Sequence, residues 1–254
     1  MDLDLTGKHA LVCGSTGGIG KATALELAAL GAHVTLLARD AEKLQRTLAE
    51  LSGSGHDTVV ADLSKPETLP AAVAGKTFHI LINNTGGPPP GQAMDASLQD
   101  FETAFHTHLG SAQVLTQLLT PGMKQAQYGR IINVISTSVK VPIFGLGVSN
   151  TIRGAMASWA KTISLELGPH GITVNNVLPG STMTPRLEQI IRNRSEKSGK
   201  TFEQVKEEMM AEVPLRRISE AHEVAAMIAF LASPAASYVS GTSIPVDGGR
   251  TGSI

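Results

Sequence analysis

The chain has 254 residues, 42% apolar, 17% charged and 4% aromatic, and 21 Lys/Arg against 22 Asp/Glu leave a formal net charge of -1. That balance argues against nucleic acid or an anionic membrane as the principal partner, since both select net basic charge, and the single cysteine, Cys13, excludes a disulfide framework and a cysteine-based zinc site. No run approaches the roughly 18 apolar residues of a transmembrane helix, and the N-terminal MDLDLTGKH lacks the basic-then-apolar order of a signal peptide, so a cytoplasmic globular protein without a metal is expected.

His9–Cys13 reads as a strand that ends in glycines. Lys21–Leu30 is helical and stops at Gly31. His33–Leu37 is a second strand, and Ala41–Leu51 a charged amphipathic helix ended by Ser52-Gly53-Ser54-Gly55. Thr58–Ala61 and Ile80–Asn83 are the third and fourth strands. Leu98–Leu119 is predicted as one long helix, Arg130–Ile135 as the fifth strand, Ser149–Leu167 as a second long helix and Ile172–Leu178 as the sixth strand. Glu220–Ala232 is a helix and Ser243–Val246 a last short strand. Strands that are short and apolar throughout, separated by helices, predict a parallel sheet of about seven strands covered on both faces. The alternation makes it a single-domain, doubly wound α/β fold with right-handed crossovers over residues 1–254. Pro185–Arg217 is an irregular insertion with eight Lys/Arg and six Glu, broken by Ser198-Gly199-Lys200 into two short helices. Its place after a strand C-terminus suits a lid over a ligand crevice; a solvated helical excursion is the plainer reading.

The first strand runs into Gly14-Ser15-Thr16-Gly17-Gly18-Ile19-Gly20 and then a helix. Glycines at 14, 18 and 20 permit a tight turn and close approach of a pyrophosphate, which the helix N-terminus attracts through free N–H groups and its dipole. The second strand ends at Ala38-Arg39-Asp40, where an acid would bind a ribose 2′-hydroxyl and an arginine suits a 2′-phosphate. Ala38 supplies no acid, so Arg39 favours NADP(H); Asp40 holding the ribose, with NAD(H), is the alternative. Asp62 can accept from an adenine amino group, and Asn84 and Gly86 of Asn83-Asn84-Thr85-Gly86-Gly87 end the fourth strand at the same crevice.

These motifs resemble the short-chain dehydrogenase/reductase family over essentially the whole chain, carried by GSTGGIG at 14–20, ADL at 61–63, NNTGG at 83–87, GRIINVIS at 129–136, GITVNNVLPG at 171–180 and VDGG at 246–249. The branch it is most similar to is that of the β-ketoacyl-acyl-carrier-protein reductases. The resemblance implies a Rossmann fold and hydride transfer between a nicotinamide and a carbonyl or alcohol carbon, with a 3-oxoacyl thioester or similar ketone as substrate. It also implies a homotetramer or dimer built on the two long central helices. The cofactor residues it implies are Gly14, Ser15, Thr16, Gly18, Ile19, Gly20, Arg39, Asp62, Leu63, Asn84, Gly86 and Arg153. The Pro179-Gly180 turn, with Thr182 and Thr184, would hold the nicotinamide.

The family's usual Asn, Ser, Tyr and Lys are met here by His108, Ser136, Ser149 and Arg153, so only Ser136 matches. A phenol near pKa 10 can be tuned toward neutrality by a neighbouring cation, whereas an aliphatic hydroxyl is a poor acid and an arginine stays protonated. Arg153 can still grip the ribose and stabilise an oxyanion. His108 titrates near neutrality when free and can feed a proton through Ser149 or water; packing inside a helix is its bland alternative. Lys140 is a second candidate acid, and Ser138 can line the pocket. Cys13 reads as a small buried strand residue. Two functions stay open: an NADP(H)-dependent oxidoreductase, and a cofactor-binding sensor or oligomer partner without catalysis. An acyl carrier protein is a further possible partner, facing a basic rim of Arg130, Arg186, Arg192, Arg194, Arg216 and Arg217.

Overall fold

The computed structural model describes residues 1–253. Its strands are β1 (His9–Cys13), β2 (His33–Ala38), β3 (Asp57–Val60), β4 (Ile80–Asn83), β5 (Gly129–Val134), β6 (Ile172–Pro179), β7 (Thr182–Met183), β8 (Ser219–Glu220) and β9 (Ser243–Val246). Its helices are α1 (Gly18–Ala29), α2 (Ala41–Leu48), α3 (Leu69–Ala72), α4 (Leu98–Phe105), α5 (Ser111–Ala126), α6 (Gly147–Leu167), α7 (Pro185–Ser198), α8 (Phe202–Ala211) and α9 (Ala221–Ala232). Seven strands form one sheet in the order β3-β2-β1-β4-β5-β6-β9, every pairing parallel, and β7 pairs with β8 apart from it. The chain winds outward from β1 to β3 and then restarts at β4 on the other side of β1. The crossovers therefore diverge between β1 and β4 and leave a crevice at their C-terminal ends.

The two-residue period of a strand explains the two cores. In β1, Ala10 and Val12 face a cluster with Ala24 and Leu27 of α1, Leu44 of α2 and Ile228 of α9. Leu11 and Cys13 face the opposite cluster, with Leu69, Leu115, Leu119, Met123 and Ala160. A strand apolar on both faces is what such burial requires, and each fully buried leucine contributes about 1.5–3 kcal/mol. One row of polar residues crosses the sheet in register. Asn83 Nδ2 donates to Asn133 Oδ1 (2.8 Å), Asn133 Nδ2 to Asn176 Oδ1 (2.9 Å) and Asn176 Nδ2 to Ser243 Oγ (3.0 Å). This row crosses four strands at one register level, and it satisfies groups that would otherwise cost about 1–3 kcal/mol each if left unpaired.

Two expectations need correction. The helix predicted over Leu98–Leu119 starts where expected, fixed by a capping box between Ser97 and Asp100, but a π-type turn at His106–Gly110 divides it and it continues to Ala126. Pro121-Gly122 looks like a stop; the helix runs through it because Leu119 and fully buried Met123 are held by the core. The helix α1 also begins three residues earlier than predicted, its N-terminus formed by the glycines themselves. The 185–217 segment does form two helices, separated at Gly199 (φ +71°) and restarted by a Thr201–Gln204 capping box. Leu187, Ile191, Val205, Met209 and Ile218 give it a small core of its own. Among the described residues no helix is long and apolar enough to cross a membrane.

Candidate active site

The C-terminal ends of β1 to β6 open into one cleft of about 1720 Å³. Its glycine loop is tied across the crevice by Asn84, whose side-chain amide donates to the carbonyls of Cys13 and Gly14 at 3.2 Å each. Gly14 (φ +59°) and Gly18 (φ +53°) take left-handed backbone angles, which favour glycine. Gly20 is required by contact instead: a Cβ there would lie 2.2 Å from the Gly14 carbonyl oxygen and 2.6 Å from Asn84 Nδ2. Gly17 and Gly86 face open space, so the loop and the end of β4 leave a cradle beside the N-terminus of α1, as an anionic ligand needs. Gly20→Ala is expected to destabilise the fold by about 1–3 kcal/mol and to displace the loop, because backbone and not a flexible side chain blocks the methyl group. Urea unfolding and an NADPH fluorescence titration of the variant check both effects.

Of the residues the sequence assigns to the cofactor, Gly14, Thr16, Gly18, Ile19, Arg39, Asp62, Leu63, Asn84, Gly86, Arg153, Pro179, Gly180 and Thr184 line this cleft. Ser15, Gly20 and Thr182 do not. Ser15 is fully buried, with its N–H and hydroxyl turned to the Leu37 carbonyl. Thr182 is buried in β7, where its hydroxyl accepts from Ser219 (2.9 Å). Both fasten the walls of the cleft from behind.

At the far end, Asp40 is occupied as the N-cap of α2: its Oδ1 accepts from Lys43 N at 3.0 Å, and Lys43 Nζ lies 3.4 Å from the other oxygen. Those bonds hold its carboxyl below the usual range. Arg39 and Lys43 line the same wall, a cationic pair of which the sequence reading recognised only the first. Burial would raise the Asp62 pKa, but hydrogen bonds from Ser64 and the Arg39 charge outweigh it and keep the carboxylate ionised.

At the near end, Ser136, Ser149, Arg153 and His108 all line the cleft. Ser136 caps the turn after β5, its Oγ accepting from Ser138 N (3.1 Å), so its own proton is free to be donated. Ser149 and Arg153 lie one turn apart on α6. Arg153 is 7% exposed; its Nη1 donates to the Val134 carbonyl (2.7 Å) and its Nε has no partner. Burial, and then the Arg186 charge, lower its pKa to about 10, so it remains a cation at neutral pH. His108 sits on the π-type turn, and its Nδ1 meets the Thr85 hydroxyl, not Ser149. Burial first, and then Arg153, push its pKa down to about 3. Of the two readings of His108, proton donor or packed helix residue, the burial favours a neutral, packed ring. Thr85 is a site residue that the sequence reading passed over inside its own NNTGG motif.

Other candidates fall away. Lys140 is exposed and does not line the cleft, and Ser138 is buried beside Ser136 and does not line it either. The Cys13 thiol, 1% exposed, is pushed up to about 12 by burial and is inert. The basic rim also loses members. Arg130 is buried, bonded to the carbonyls of Ser233 and Gly129 and stacked over Tyr128, and Arg217 is paired with Glu223. Arg186 turns into the cleft, where its Nη2 donates to the Pro88 carbonyl (2.6 Å).

Residues 14–251 match the family model described as enoyl-(acyl carrier protein) reductase. The NADPH-dependent reductase BacG of Bacillus subtilis is 30% identical, the match covering 97% of this chain and 99% of that one. The L-sorbose reductase of Gluconobacter frateurii, solved with NADPH and L-sorbose, superposes with a TM-score of 0.94 at 28% identity over the whole of both chains. An actinorhodin polyketide ketoreductase solved with NADPH superposes at 0.90 with 30% identity, over 97% of this chain and 98% of that one. With the sheet order, the glycine loop and the cleft already in place, these likenesses show that the chain belongs to the short-chain dehydrogenase/reductase family, in its ketoreductase-like range.

Proposed function

We propose that this protein is an NADPH-dependent reductase of a ketone or 3-oxoacyl substrate that works by charge stabilisation rather than through a tyrosine acid. The observation that carries the reading is the convergence of Ser136, Ser149 and the unpaired cation of Arg153 on one end of a dinucleotide-sized cleft. The open space at Gly17 and Gly86, with Arg39 and Lys43 at the far wall, fits a phosphorylated dinucleotide. When bound, NADPH supplies the hydride. Ser136 donates its hydroxyl proton as a hydrogen bond to the carbonyl oxygen. Arg153 stabilises the negative charge that develops there, in a site where burial makes that charge worth more than in water. Ser149 adds a hydroxyl on the same helix face. His108 stays neutral and, with Thr85, forms a polar wall; water in the cleft delivers the final proton. The α7–α8 pair acts as the lid, and exposed Leu118 and Leu165 on α5 and α6 suit contact with a second copy.

The test is NADPH consumption with acetoacetyl-CoA and a panel of ketones across pH. Neither His108 nor Arg153 titrates near neutrality, so kcat is expected to stay flat from about pH 4 to about pH 9, bounded by their pKa values. A break between about pH 6 and 8 would overturn this proton route. Tight NADPH binding with no turnover would leave only the binding protein. For the cofactor, Arg39→Gln is expected to weaken NADPH by about tenfold or more and NADH little, because the lost charge-assisted bonds are worth about 1.5–3 kcal/mol. Kd values for both cofactors by fluorescence titration check it.

A further inference from the structure

We infer that Arg153 and Arg186 form an anion-binding subsite that selects carbonyl substrates bearing a carboxylate. The inference rests on the reductase reading and narrows its substrate class. A Cβ built on Gly87 would lie 3.5 Å from Arg186 Nη2 and 3.8 Å from Arg153 Nη2, so both guanidinium groups reach the same glycine edge of the cleft. A side chain there would fill the gap between them, and glycine leaves it open to a ligand. Neither arginine is ion-paired among the described residues. Their protein partners are neutral backbone oxygens, those of Val134 and Pro88. Arg153 is 7% exposed with its Nε unpartnered, and a cation so far from water calls for a counter-ion that none of the described residues supplies. Of the carboxylates that line the cleft, Asp100 is engaged by Ser97, Asp62 by Ser64 and Asp40 by Lys43, and Asp95 forms no ion pair with either arginine.

The two arginines come from different parts of the fold. Arg153 stands on α6 in the cleft floor, and Arg186 on the first turn of α7, in the proposed lid. An oxyanion bridging them joins lid to floor beside Ser136 and Ser149, as a substrate group that triggers closure would. A phosphate oxygen of the cofactor offers the same chemistry. The cofactor already has the glycine loop for its pyrophosphate and Arg39 with Lys43 for a 2′-phosphate, which leaves the Gly87 edge to the substrate.

Calorimetric titration separates these sources. Pyruvate, acetoacetate and levulinate are each compared with their methyl esters, with and without NADPH, on the wild-type protein and on Arg186→Gln. NADPH affinity is measured separately. At least one acid is expected to bind about tenfold or more tightly than its ester, as charge-assisted bonds to a carboxylate require. Arg186→Gln is expected to bring that ratio to within about twofold while NADPH affinity holds within about threefold. Acids that bind no better than their esters overturn the subsite. So does an Arg186→Gln variant that loses NADPH as strongly as it loses the acid, which would assign the pair to a cofactor phosphate. NADPH consumption in the same samples reads the reductase separately. Acid-selective binding without consumption keeps the subsite and removes the reductase; consumption of neutral ketones without acid preference does the reverse.

Discussion

Arg153→Met is expected to lower carbonyl reduction by about a hundred- to a thousandfold while leaving thermal stability unchanged or raised. The two effects have opposite signs because the cation serves the reaction and not the fold. Its guanidinium is buried with one bond to the Val134 carbonyl, an unpartnered Nε and a like-charged neighbour in Arg186. Burying an uncompensated charge is costly, and a methionine of similar length removes that cost at the loss of a single hydrogen bond. Removing one preorganised donor from an oxyanion site typically costs about 10²–10³ in rate. Arg153→Lys keeps the charge but not the planar fork, so a smaller loss is expected. Steady-state rates and thermal melts of the two variants check this. A methionine variant that melts far below the wild type would show that the guanidinium holds α6 to β5, and one with full activity would remove Arg153 from the mechanism.

Folding stability is expected to fall as pH drops from about 6.5 toward 4, and His108→Gln is expected to remove much of that slope. The pKa of His108 is about 3 in the fold, against 6.5 for the free side chain. Between those values the unfolded chain binds a proton that the folded chain refuses. The contribution is therefore complete above about pH 6.5 and is lost on acidification, at about 1.4 kcal/mol per pH unit. Glutamine can still bond Thr85 and does not titrate. His9 and His79 are lowered in the same direction by partial burial and neighbouring cations, so the variant keeps a shallower slope. Urea unfolding at several pH values for both proteins measures it; parallel slopes would mean that His108 is protonated in the fold.

The signals that could be read from the chain were local ones. Uniformly apolar runs such as Ile80–Asn83 announce strands buried on both faces, and glycine spacing at 14–20 announces a phosphate turn. The grouping of Ser136, Ser149 and Arg153 came from the family resemblance alone, and in the fold all three line one cleft. The π-type turn at His106–Gly110 was not read from the chain: weak helix formers such as Thr107 and Gly110 lower helix propensity there without specifying which kind of turn forms. The helix outruns its predicted end at Leu119 for the converse reason: it passes through Pro121 to Ala126, with Met123 buried beyond it.

The sequence by itself therefore determined the doubly wound sheet and the dinucleotide cleft. Each is written in periodicity or glycine placement, and each acts within a few residues. Only the tertiary structure decided which side chains meet. Thr85 with His108, 23 residues apart, and Arg186 with Pro88, 98 apart, are joined by crossovers and by the lid. It also decided the charge states. Burial, which no sequence window reports, made His108 a neutral ring rather than an acid and left Arg153 a cation without a counter-ion among the described residues.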